Sequence, residues 1–470
     1  MIAAAIVVFH VLGALSSIHA IMTTRTEQGA IAWAVSLNTF PYVAVPAYWV
    51  LGRSRFGGYV SARRENMEEV AGVTAEAVVA VAPFRVAEAE VDPAARAAER
   101  LAGLPFLRGN SVQLLVNGDA TFKSIFEGVD SAREYVLVEY YIVHDDAIGR
   151  ELKTRLVERA RAGVRVRFLY DEVGSLDLPR AYLDELRAAG IEVHAFHTRK
   201  GPRNRFQLNF RNHRKIVVVD GRVAWVGGLN VGDEYLSRDA KIGPWRDTHV
   251  RIEGPGALGA QLAFAEDWHW AEGSRLELRW DPVPSGTGDA PVLIVPSGPA
   301  DELETANLMY IHAINSARER IWIASPYFVP DKPVIDALQL AGLRGVDVRI
   351  LIPDKPDNPL VGLAAYSYLD DASLTGARFY RYGAGFLHEK VMLVDRSTAT
   401  VGTANFDNRS FRLNFEITAV ISDGAFAAEV ERMFEADFAL SRVMEPGEYG
   451  RKSWWFRFGA RLARLTGPIQ

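Results

Sequence analysis

The chain contains no cysteine among its 470 residues. Disulfides, thiolate nucleophiles and thiolate metal ligands are therefore excluded, whereas the compartment stays open because neither cytosolic nor secreted chains require cysteine. Charge of one sign is not in excess either, since 53 basic and 58 acidic side chains leave a net charge of -5. No global field draws the protein to nucleic acid, so any attraction to an anionic partner must be local.

The first 24 residues lack Lys, Arg, Asp and Glu altogether. After a short polar break, the run from Gly29 to Gly52 is again uncharged. Each run is long enough to cross a membrane as a helix, which takes ~20 residues. We predict a transmembrane helical hairpin over residues 1–55. The alternative is a cleaved signal peptide for the first run and a kinked or interfacial helix for the second, which contains Pro41 and Pro46.

Basic residues are concentrated on one side of the second apolar run, at Arg53, Arg55, Arg63 and Arg64. The turn between the two runs carries only Arg25 beside Glu27. Because Lys and Arg favour the cytoplasmic side, we expect both chain ends in the cytoplasm and the turn outside.

Two halves of the chain repeat the same elements in the same order. An apolar strand at 135–138 is followed by Glu139-Tyr-Tyr-Ile142, and one at 321–323 is followed by Ser325-Pro-Tyr-Phe328. Strands separated by helical stretches are typical of α/β domains with a mostly parallel or mixed sheet. The predicted division is a linker over 56–103, a first α/β domain over 104–285, a second over 286–445, and a basic aromatic tail over 446–470.

Each half contains one His-x-Lys-x4-Asp motif, followed at the same spacing by an asparagine. The first copy comprises His213, Lys215, Asp220 and Asn230, and the second comprises His388, Lys390, Asp395 and Asn405. Because a strand repeats every two residues, the histidine and lysine of each copy point from the same face. Two such copies would gather two imidazoles, two ammonium groups and two amides.

This set of groups suits attack on a phosphodiester. A neutral histidine can attack phosphorus and hold the phosphoryl group covalently, while a protonated one gives its proton to the leaving alcohol. Lysines and asparagine amides can meet the charge on the non-bridging oxygens, so no metal or other cofactor is required. A metal site is the rival interpretation, and the flanking Lys and Arg residues disfavour it.

The doubled motif resembles that of the phospholipase D superfamily, and longer runs resemble the bacterial cardiolipin synthases within it. These runs lie at 228–235, 245–249, 325–330 and 405–416. The resemblance implies two phospholipase D-like α/β domains packed as a pseudo-dimer around one site, with His213 as the nucleophile. This chain departs from the pattern at Gly228 and Thr403, where a serine is common; a small residue or a hydroxyl should serve either way.

The resemblance also implies that an acidic residue downstream holds each imidazole, namely Asp247 for His213 and Glu416 for His388. A carboxylate on the far ring nitrogen fixes the tautomer and stabilises the imidazolium. For Asp247 the alternative is an ordinary surface ion pair with a neighbouring arginine.

The aspartates that close the two motifs, Asp220 and Asp395, are interpreted as bracing the strand and turn rather than contacting phosphorus.

The implied reaction converts two phosphatidylglycerols into cardiolipin and glycerol at a bacterial inner membrane. Two basic segments fit an anionic lipid partner: the approach to the first histidine, with Arg199, Lys200, Arg203, Arg205, Arg211 and Arg214, and the tail from Arg451 to Leu465. The tail could instead cap the core. Hydrolysis by a phospholipase D, a nuclease of the same superfamily and an inactive lipid-binding module are the alternative functions. Nucleic acid is not an expected partner, and the oligomeric state is left open.

Overall fold

The computed structural model of the protein describes residues 2–24, 26–52, 78–87, 95–196, 210–240, 242–445 and 447–467. Much of the predicted linker, the arginines that follow the second apolar run, and the basic approach at 199–205 lie outside the described residues.

The apolar N-terminal segment forms three helices: α1 (Ile2–Thr23), α2 (Glu27–Thr39) and α3 (Pro41–Leu51). Within the described part of the chain, only α1 is long and apolar enough to cross a membrane, over Ala4–Thr23. A single helix for the second apolar run is wrong, because the chain leaves helical geometry at Phe40 and restarts at Pro41. Proline suits the first turn of a helix, where its missing N–H is not needed.

Polar side chains join these helices across their apolar faces. The Asn38 amide donates to the Ser17 hydroxyl at 2.7 Å, and the Trp49 indole donates to Ser16 at 3.0 Å. His19 lies 2.6 Å from the Tyr48 hydroxyl. Such hydrogen bonds hold helices together where lipid offers no competing partner.

The rest of the described chain is a mixed α/β structure in two similar halves. The strands of the first half are β1 (Leu107–Val116), β2 (Tyr135–Tyr140), β3 (Arg165–Asp171), β4 (Glu192–Phe196), β5 (Arg211–Asn212), β6 (Ile216–Val219), β7 (Val223–Gly227), β8 (Trp245–Arg246) and β9 (Thr248–Glu253). Those of the second are β10 (Ala290–Ser297), β11 (Arg320–Ala324), β12 (Phe328–Val329), β13 (Asp347–Pro353), β14 (Arg378–Tyr382), β15 (Phe386–Leu387), β16 (Val391–Val394), β17 (Thr398–Gly402), β18 (Phe406–Asp407), β19 (Asn414–Ile421) and β20 (Ser441–Val443).

Helices cover both halves in the same sequence positions relative to the strands. They are α4 (Ala95–Ala102), α5 (Asn117–Ser131), α6 (Ala147–Arg161), α7 (Arg180–Ala188) and α8 (Ala257–Glu272), then α9 (Thr305–Ser316), α10 (Lys332–Leu343), α11 (Pro359–Ser373), α12 (Asn408–Arg412), α13 (Gly424–Ala439) and α14 (Trp454–Arg464). The structure thus confirms the predicted α/β class, whereas the residue ranges given for the segments stay predictions.

One continuous sheet runs through both halves, in the order β20-β14-β13-β11-β16-β17-β19-β10-β1-β9-β7-β6-β2-β3-β4. Strands β2, β3 and β4 are parallel, as are β11, β13 and β14, and the other neighbours in the sheet are antiparallel. The two halves meet where β1 pairs with β10 in antiparallel register. This strand order is a pseudo-twofold arrangement, which is the pseudo-dimer that the resemblance to the phospholipase D superfamily implied.

Two short pairings cross from one half to the other. Strand β5 runs parallel to β19, with Arg211 opposite Asn414 and Asn212 opposite Phe415. Strand β15 runs parallel to β8 in the same way. Each half also has its own apolar core, and a third buried cluster draws on both halves. These crossings decide which residues meet in the site.

Candidate active site

The two histidines lie just before strands rather than within them. His213 follows β5 and precedes β6, and His388 follows β15 and precedes β16. The backbone N–H of His213 donates to the Phe415 carbonyl at 2.9 Å, and that of His388 donates to the Arg246 carbonyl at 2.8 Å. The neighbouring strands of the opposite half therefore fix the position of both histidines.

This crossing corrects the predicted pairing of histidines with carboxylates. His213 Nδ1 lies 2.9 Å from Glu416 Oε2, and His388 Nδ1 lies 2.8 Å from Asp247 Oδ2. The predicted pairing of Asp247 with His213 and of Glu416 with His388 is thus wrong, although all four residues belong to the site. The reason is the strand register. One residue beyond the pairing of β5 with β19, His213 lies opposite Glu416. One residue beyond the pairing of β15 with β8, His388 lies opposite Asp247.

Both carboxylates are fully buried and held by further donors. Glu416 accepts hydrogen bonds from the Thr403 hydroxyl at 2.6 Å and the Asn414 amide at 3.1 Å. Asp247 accepts one from the backbone N–H of Thr248 at 2.8 Å. Arg246 is not its ion-pair partner, because that guanidinium binds Asp437. The surface ion pair is therefore excluded.

Gly228 and Thr403, the two positions where a serine was expected, have different roles in the site. The Thr403 hydroxyl supports Glu416, as a serine hydroxyl there also could. At Gly228, a Cβ atom would stand 2.0 Å from Asp247 Oδ1. Any side chain at 228 would therefore displace the carboxylate that holds His388, so a hydroxyl residue does not serve equally well at this position.

The two lysines complete a single centre. Lys215 Nζ donates to the His213 carbonyl at 2.6 Å, and Lys390 donates to the His388 carbonyl. Lys390 Nζ also lies 3.0 Å from His388 Nδ1. Each ammonium has three protons, so both lysines keep at least one for a ligand. Lys390 acts electrostatically on His213, and Lys215 acts on His388. This mutual influence shows that the two motifs share one site.

Burial determines the charge state of the site. It lowers the pKa of both histidines to about 4, against the opposing effect of their carboxylate partners. It lowers the pKa of Lys215 to about 7 and of Lys390 to about 8. Burial alone would raise the pKa of Glu416 and Asp247, but the neighbouring histidines and lysines hold both below their usual values. The carboxylates are thus charged and the imidazoles neutral.

The two asparagines of the motifs are not equivalent. Asn230 is occupied, because its Oδ1 accepts from the backbone N–H of Ile142 at 3.1 Å and its amide donates to Tyr235 at 2.9 Å. Asn405 Oδ1 is buried and accepts no hydrogen bond within the described residues. Within the described residues, the Asn405 oxygen at the site therefore has no hydrogen-bond donor, whereas the Asn230 oxygen has one.

The aspartates that close the motifs lie at the far end of their strands. Asp220 accepts hydrogen bonds from the backbone N–H groups of residues 133–135, at 2.8–2.9 Å. Asp395 accepts from those of residues 318–320, at 2.8–3.1 Å. Both aspartates have a positive φ, 53° and 52°. Four strand residues separate each from its lysine, roughly 15 Å of extended chain. These contacts brace the turn, and neither aspartate belongs among the catalytic residues.

Aromatic rings enclose both imidazoles, and sequence reasoning missed them. Tyr141 lies 4.9 Å from His213 between ring centroids, and Trp245 lies 5.0 Å from His388. Tyr141 directly follows β2 and lies in the block 139–142, which was matched with 325–328 and was the available signal.

A buried polar network behind each motif was also missed. Behind the first, Arg214 binds Asp267 at 2.7 Å, and Asn212 donates to Glu139 and Asp267. Behind the second, Arg246 binds Asp437 through two nitrogens, at 2.8 and 2.6 Å, and Glu389 lies 3.2 Å away.

These networks use the variable residue of each His-x-Lys motif, Arg214 and Glu389. Burial raises the pKa of Glu139 and of Glu389, and each keeps one oxygen without a hydrogen-bond partner in the described part of the chain. A protonated carboxyl in each network fits this geometry, since a neutral acid is cheaper to bury. No signal in the sequence distinguished these residues from solvated charges.

The arrangement can carry out in-line displacement at phosphorus. Two imidazoles, each held on one nitrogen by a buried carboxylate, present their other nitrogen to a site flanked by two lysines. Among the described residues, no group of three or more His, Asp or Glu is placed to hold a metal ion. The fold and the site together define a phosphodiester-transferring enzyme of the phospholipase D type.

Comparisons with known proteins identify the branch. The family described as "Cardiolipin synthase, PLD-like domain" matches residues 125–243 and 310–438. Cardiolipin synthase A of Pseudomonas aeruginosa is 49% identical over 465 residues, which cover 98% of this chain and 94% of that protein. Cardiolipin synthase A of Pseudomonas putida is 47% identical over 471 residues, covering 98% and 96%. The chain belongs to the cardiolipin synthase family of phospholipase D-like proteins.

A solved structure shares the fold. Phosphatidylserine synthase from Haemophilus influenzae superposes with a TM-score of 0.59 at 16% identity, over 81% of this chain and all of that one. At this identity the likeness concerns the fold alone, and it supports the two-domain arrangement.

Proposed function

We propose that the protein is a membrane-bound cardiolipin synthase, which transfers the phosphatidyl group of one phosphatidylglycerol to the hydroxyl of another. The observation that carries this proposal is the single centre in which two histidines are held by carboxylates of the opposite half. Relatives that cover nearly the whole chain are named for that activity.

The first step breaks the bond between phosphorus and glycerol. His213 is neutral, and its Nδ1–H donates a hydrogen bond to Glu416. Its Nε2 attacks phosphorus. The P–N bond forms as the P–O bond breaks, and His388 gives its Nε2 proton to the departing glycerol oxygen. The negative charge of the bound diester raises the pKa of His388, so that its Nε2 takes up a proton from water before the step.

The second step restores the enzyme. His388, now neutral, takes the proton from the hydroxyl of the second lipid, whose oxygen attacks the phosphohistidine. The P–N bond breaks, and cardiolipin leaves. One phosphodiester replaces another, so no energy source is needed, and the lysines balance the charge of the non-bridging oxygens in both steps.

The second lipid is itself an anion, and two more cationic groups lie where it would enter. Arg211 donates to the Tyr141 hydroxyl, beside His213. Arg409 acts electrostatically on Arg211, on Tyr141 and on Glu416. Guanidinium groups bind phosphate well, so this pair suits the phosphate of the acceptor lipid.

Two parts of the chain would hold the enzyme at an anionic membrane. Helix α1 is long enough to span it, and we infer that α2 and α3 form the returning arm of a hairpin with the catalytic halves in the cytoplasm. Helix α14 exposes an apolar face beside two basic residues. The apolar face comprises Trp454, Trp455, Phe458 and Leu462, each more than half exposed, and the basic residues are Arg457 and Arg461.

The opposite face of α14 packs on α11, where Arg464 binds Asp371 at 2.8 Å and Phe456 contacts Tyr366. The tail therefore both caps the second half and presents a face suited to a lipid interface.

The deciding experiment mixes the purified protein with phosphatidylglycerol vesicles and reads the products by mass spectrometry. We expect cardiolipin and glycerol in equal amounts. Phosphatidic acid in place of cardiolipin would make the enzyme a hydrolase, and inertness toward lipid together with DNA cleavage would make it a nuclease. His213→Ala and His388→Ala should each abolish turnover, and full activity in either variant would refute the shared centre.

A further inference from the structure

A cavity of about 270 Å³ lies in the second half, between α11 and α14. Its wall is largely apolar and aromatic, and includes Tyr327, Phe328, Val361, Ala365, Tyr366 and Phe456. We call it the α11–α14 cavity. Two charged residues, Asp354 and Arg381, also line it, and the Arg381 guanidinium is stacked on the Tyr366 ring at 4.4 Å.

One wall of the α11–α14 cavity is linked to the catalytic centre. Tyr327 lines the cavity in the segment that follows β11, and the segment that follows β2 supplies Tyr141, the neighbour of His213. The Tyr327 hydroxyl donates to Asp357 at 2.7 Å, and Asp357 acts electrostatically on Lys390. Tyr327 therefore lines the apolar cavity and binds a carboxylate whose charge acts on the catalytic lysine Lys390.

Another side of the cavity is bordered by the packed face of α14. Phe456 lines the cavity and contacts Tyr366, with ring centroids 5.1 Å apart. Its neighbour in the chain, Trp455, is 74% exposed. The cavity thus lies behind the helix whose exposed face is proposed to meet lipid, and its Tyr327 wall holds the carboxylate that acts on Lys390.

We propose that the α11–α14 cavity binds one acyl chain of a phospholipid substrate while the phosphate of that lipid lies between His213 and His388. This rests on the proposed function, and it adds a site for the chain. Transfer of each methylene from water to apolar surroundings is favourable. A dry apolar cavity of about 150 Å³ already accepts benzene, so this larger one has room for a stretch of hydrocarbon chain.

Substitutions that fill the cavity test the proposal. Val361→Phe and Ala365→Leu add volume inside it, and Leu340→Phe adds the same bulk on α10, at an exposed position outside the cavity. In detergent micelles, we expect the two cavity variants to raise KM for dioleoyl phosphatidylglycerol by at least about tenfold. KM for the dihexanoyl lipid, whose chains are too short to fill the cavity, should stay unchanged, as should both values in Leu340→Phe.

Equal effects on long and short lipids would overturn the proposal, because they would indicate general distortion or a cavity occupied by another segment of this chain. No effect on either lipid would overturn it too.

A second measurement needs no variant. Phosphatidylglycerol with a photoreactive diazirine near the middle of one acyl chain is irradiated with the wild-type enzyme, and labelled peptides are identified by mass spectrometry. We expect labels at 361–366 and at Phe456. Labels confined to α1–α3 and to the exposed face of α14 would refute the proposal.

Cardiolipin formation is followed in the same samples. If the wild type makes cardiolipin but labels no cavity residue, the chain site is wrong and the proposed function stands. If the wild type makes none, the proposed function is wrong, and with it the lipid site that rests on it.

Discussion

Burial makes the two active-site lysines sensitive to pH near neutrality. An ammonium with a lowered pKa loses its charge as the pH rises through that value, which is about 7 for Lys215 and about 8 for Lys390. Both charges are thus present below about pH 7 and lost above about pH 8. We expect kcat/KM, which reports the free enzyme, to fall across this range because an anionic lipid then meets neutral amines.

The measurement is kcat/KM for phosphatidylglycerol in micelles from about pH 6 to about pH 10. Lys215→Arg keeps its charge throughout and should move the fall to higher pH, whereas Lys332→Arg at an exposed position should not. A wild-type profile that stays level to about pH 10 would show that the lysine charges do not limit binding.

The crossed carboxylates predict opposite defects in two conservative variants. A phosphatidyl ester of p-nitrophenol needs no acid to expel its leaving group, so its first step depends on the nucleophile alone. Asp247→Asn impairs His388 and should keep a burst of one p-nitrophenolate per enzyme, followed by slow turnover. Glu416→Gln impairs His213 and should slow the burst itself, on the order of 10³-fold. Because the crossed contacts are given by the structure, the reverse pattern would make His388 the nucleophile and His213 the acid.

At the scale of the element, Asp220 and Asp395 join the end of one strand to the start of its neighbour. Asp220→Ala removes the acceptor of three backbone N–H groups and places alanine at a positive φ, which it tolerates poorly. We expect the free energy of unfolding to fall by about 3 kcal/mol, and by about 1 kcal/mol for Asp220→Asn, which keeps one acceptor and suits that φ. Thermal unfolding in detergent measures both.

Asp184→Ala serves as the control, because it removes only an exposed ion pair with Arg187 and should change stability by less than about 0.5 kcal/mol. The folded fraction of Asp220→Ala should turn over at nearly the wild-type rate. Normal stability with lost activity would place Asp220 in the chemistry instead.

Sequence patterns predicted the elements that repeat and missed the contacts between them. The apolar strands and the identical spacing of both motifs are local features, so the α/β halves and the histidine–lysine pairs could be inferred. The partner of each histidine depends on how two-residue strands such as β5 align with a strand some 200 positions away. No local propensity encodes that register, and the motif match therefore paired the carboxylates within each half.

The same distinction explains two smaller differences. Pro41 was a visible signal for a helix start, so the division of the second apolar run could be anticipated as a kink. Arg214 and Glu389 sit beside the catalytic residues in sequence, but a charged side chain on a short strand is usually solvated. Their burial follows from the packing of one half on the other, which only the assembled sheet reveals.

At the scale of the whole molecule, the continuous sheet explains why the site needs both halves. Each motif is positioned by a strand of the opposite half, and each histidine is held by a carboxylate from there. A half on its own would lack the group that orients its imidazole. The membrane contacts then decide how this rigid centre meets its lipids, and α14 is the element of the catalytic body that presents an exposed aromatic and basic face.

The absence of cysteine makes that contact directly measurable. Phe458→Cys introduces a single thiol on the exposed face of α14, which can be labelled with a dye that shifts to the blue in apolar surroundings. In vesicles rich in phosphatidylglycerol at low salt, we expect the blue-shifted state. Each basic residue near an anionic surface is worth about 1 kcal/mol, so reversing Arg457 and Arg461 to glutamate should weaken docking of the helix by at least about 30-fold.

High salt should weaken docking in the same direction, because it screens these charges. Arg432→Glu, an exposed change on α13, controls for the altered net charge and should leave the dye signal as it is. In the proposed arrangement α1 keeps the protein in the vesicles throughout, so the signal reports α14 alone. Two outcomes would show that α14 only caps the second half. In the first, the dye shows no blue shift in phosphatidylglycerol vesicles at low salt. In the second, the blue shift does not change when Arg457 and Arg461 are replaced by glutamate.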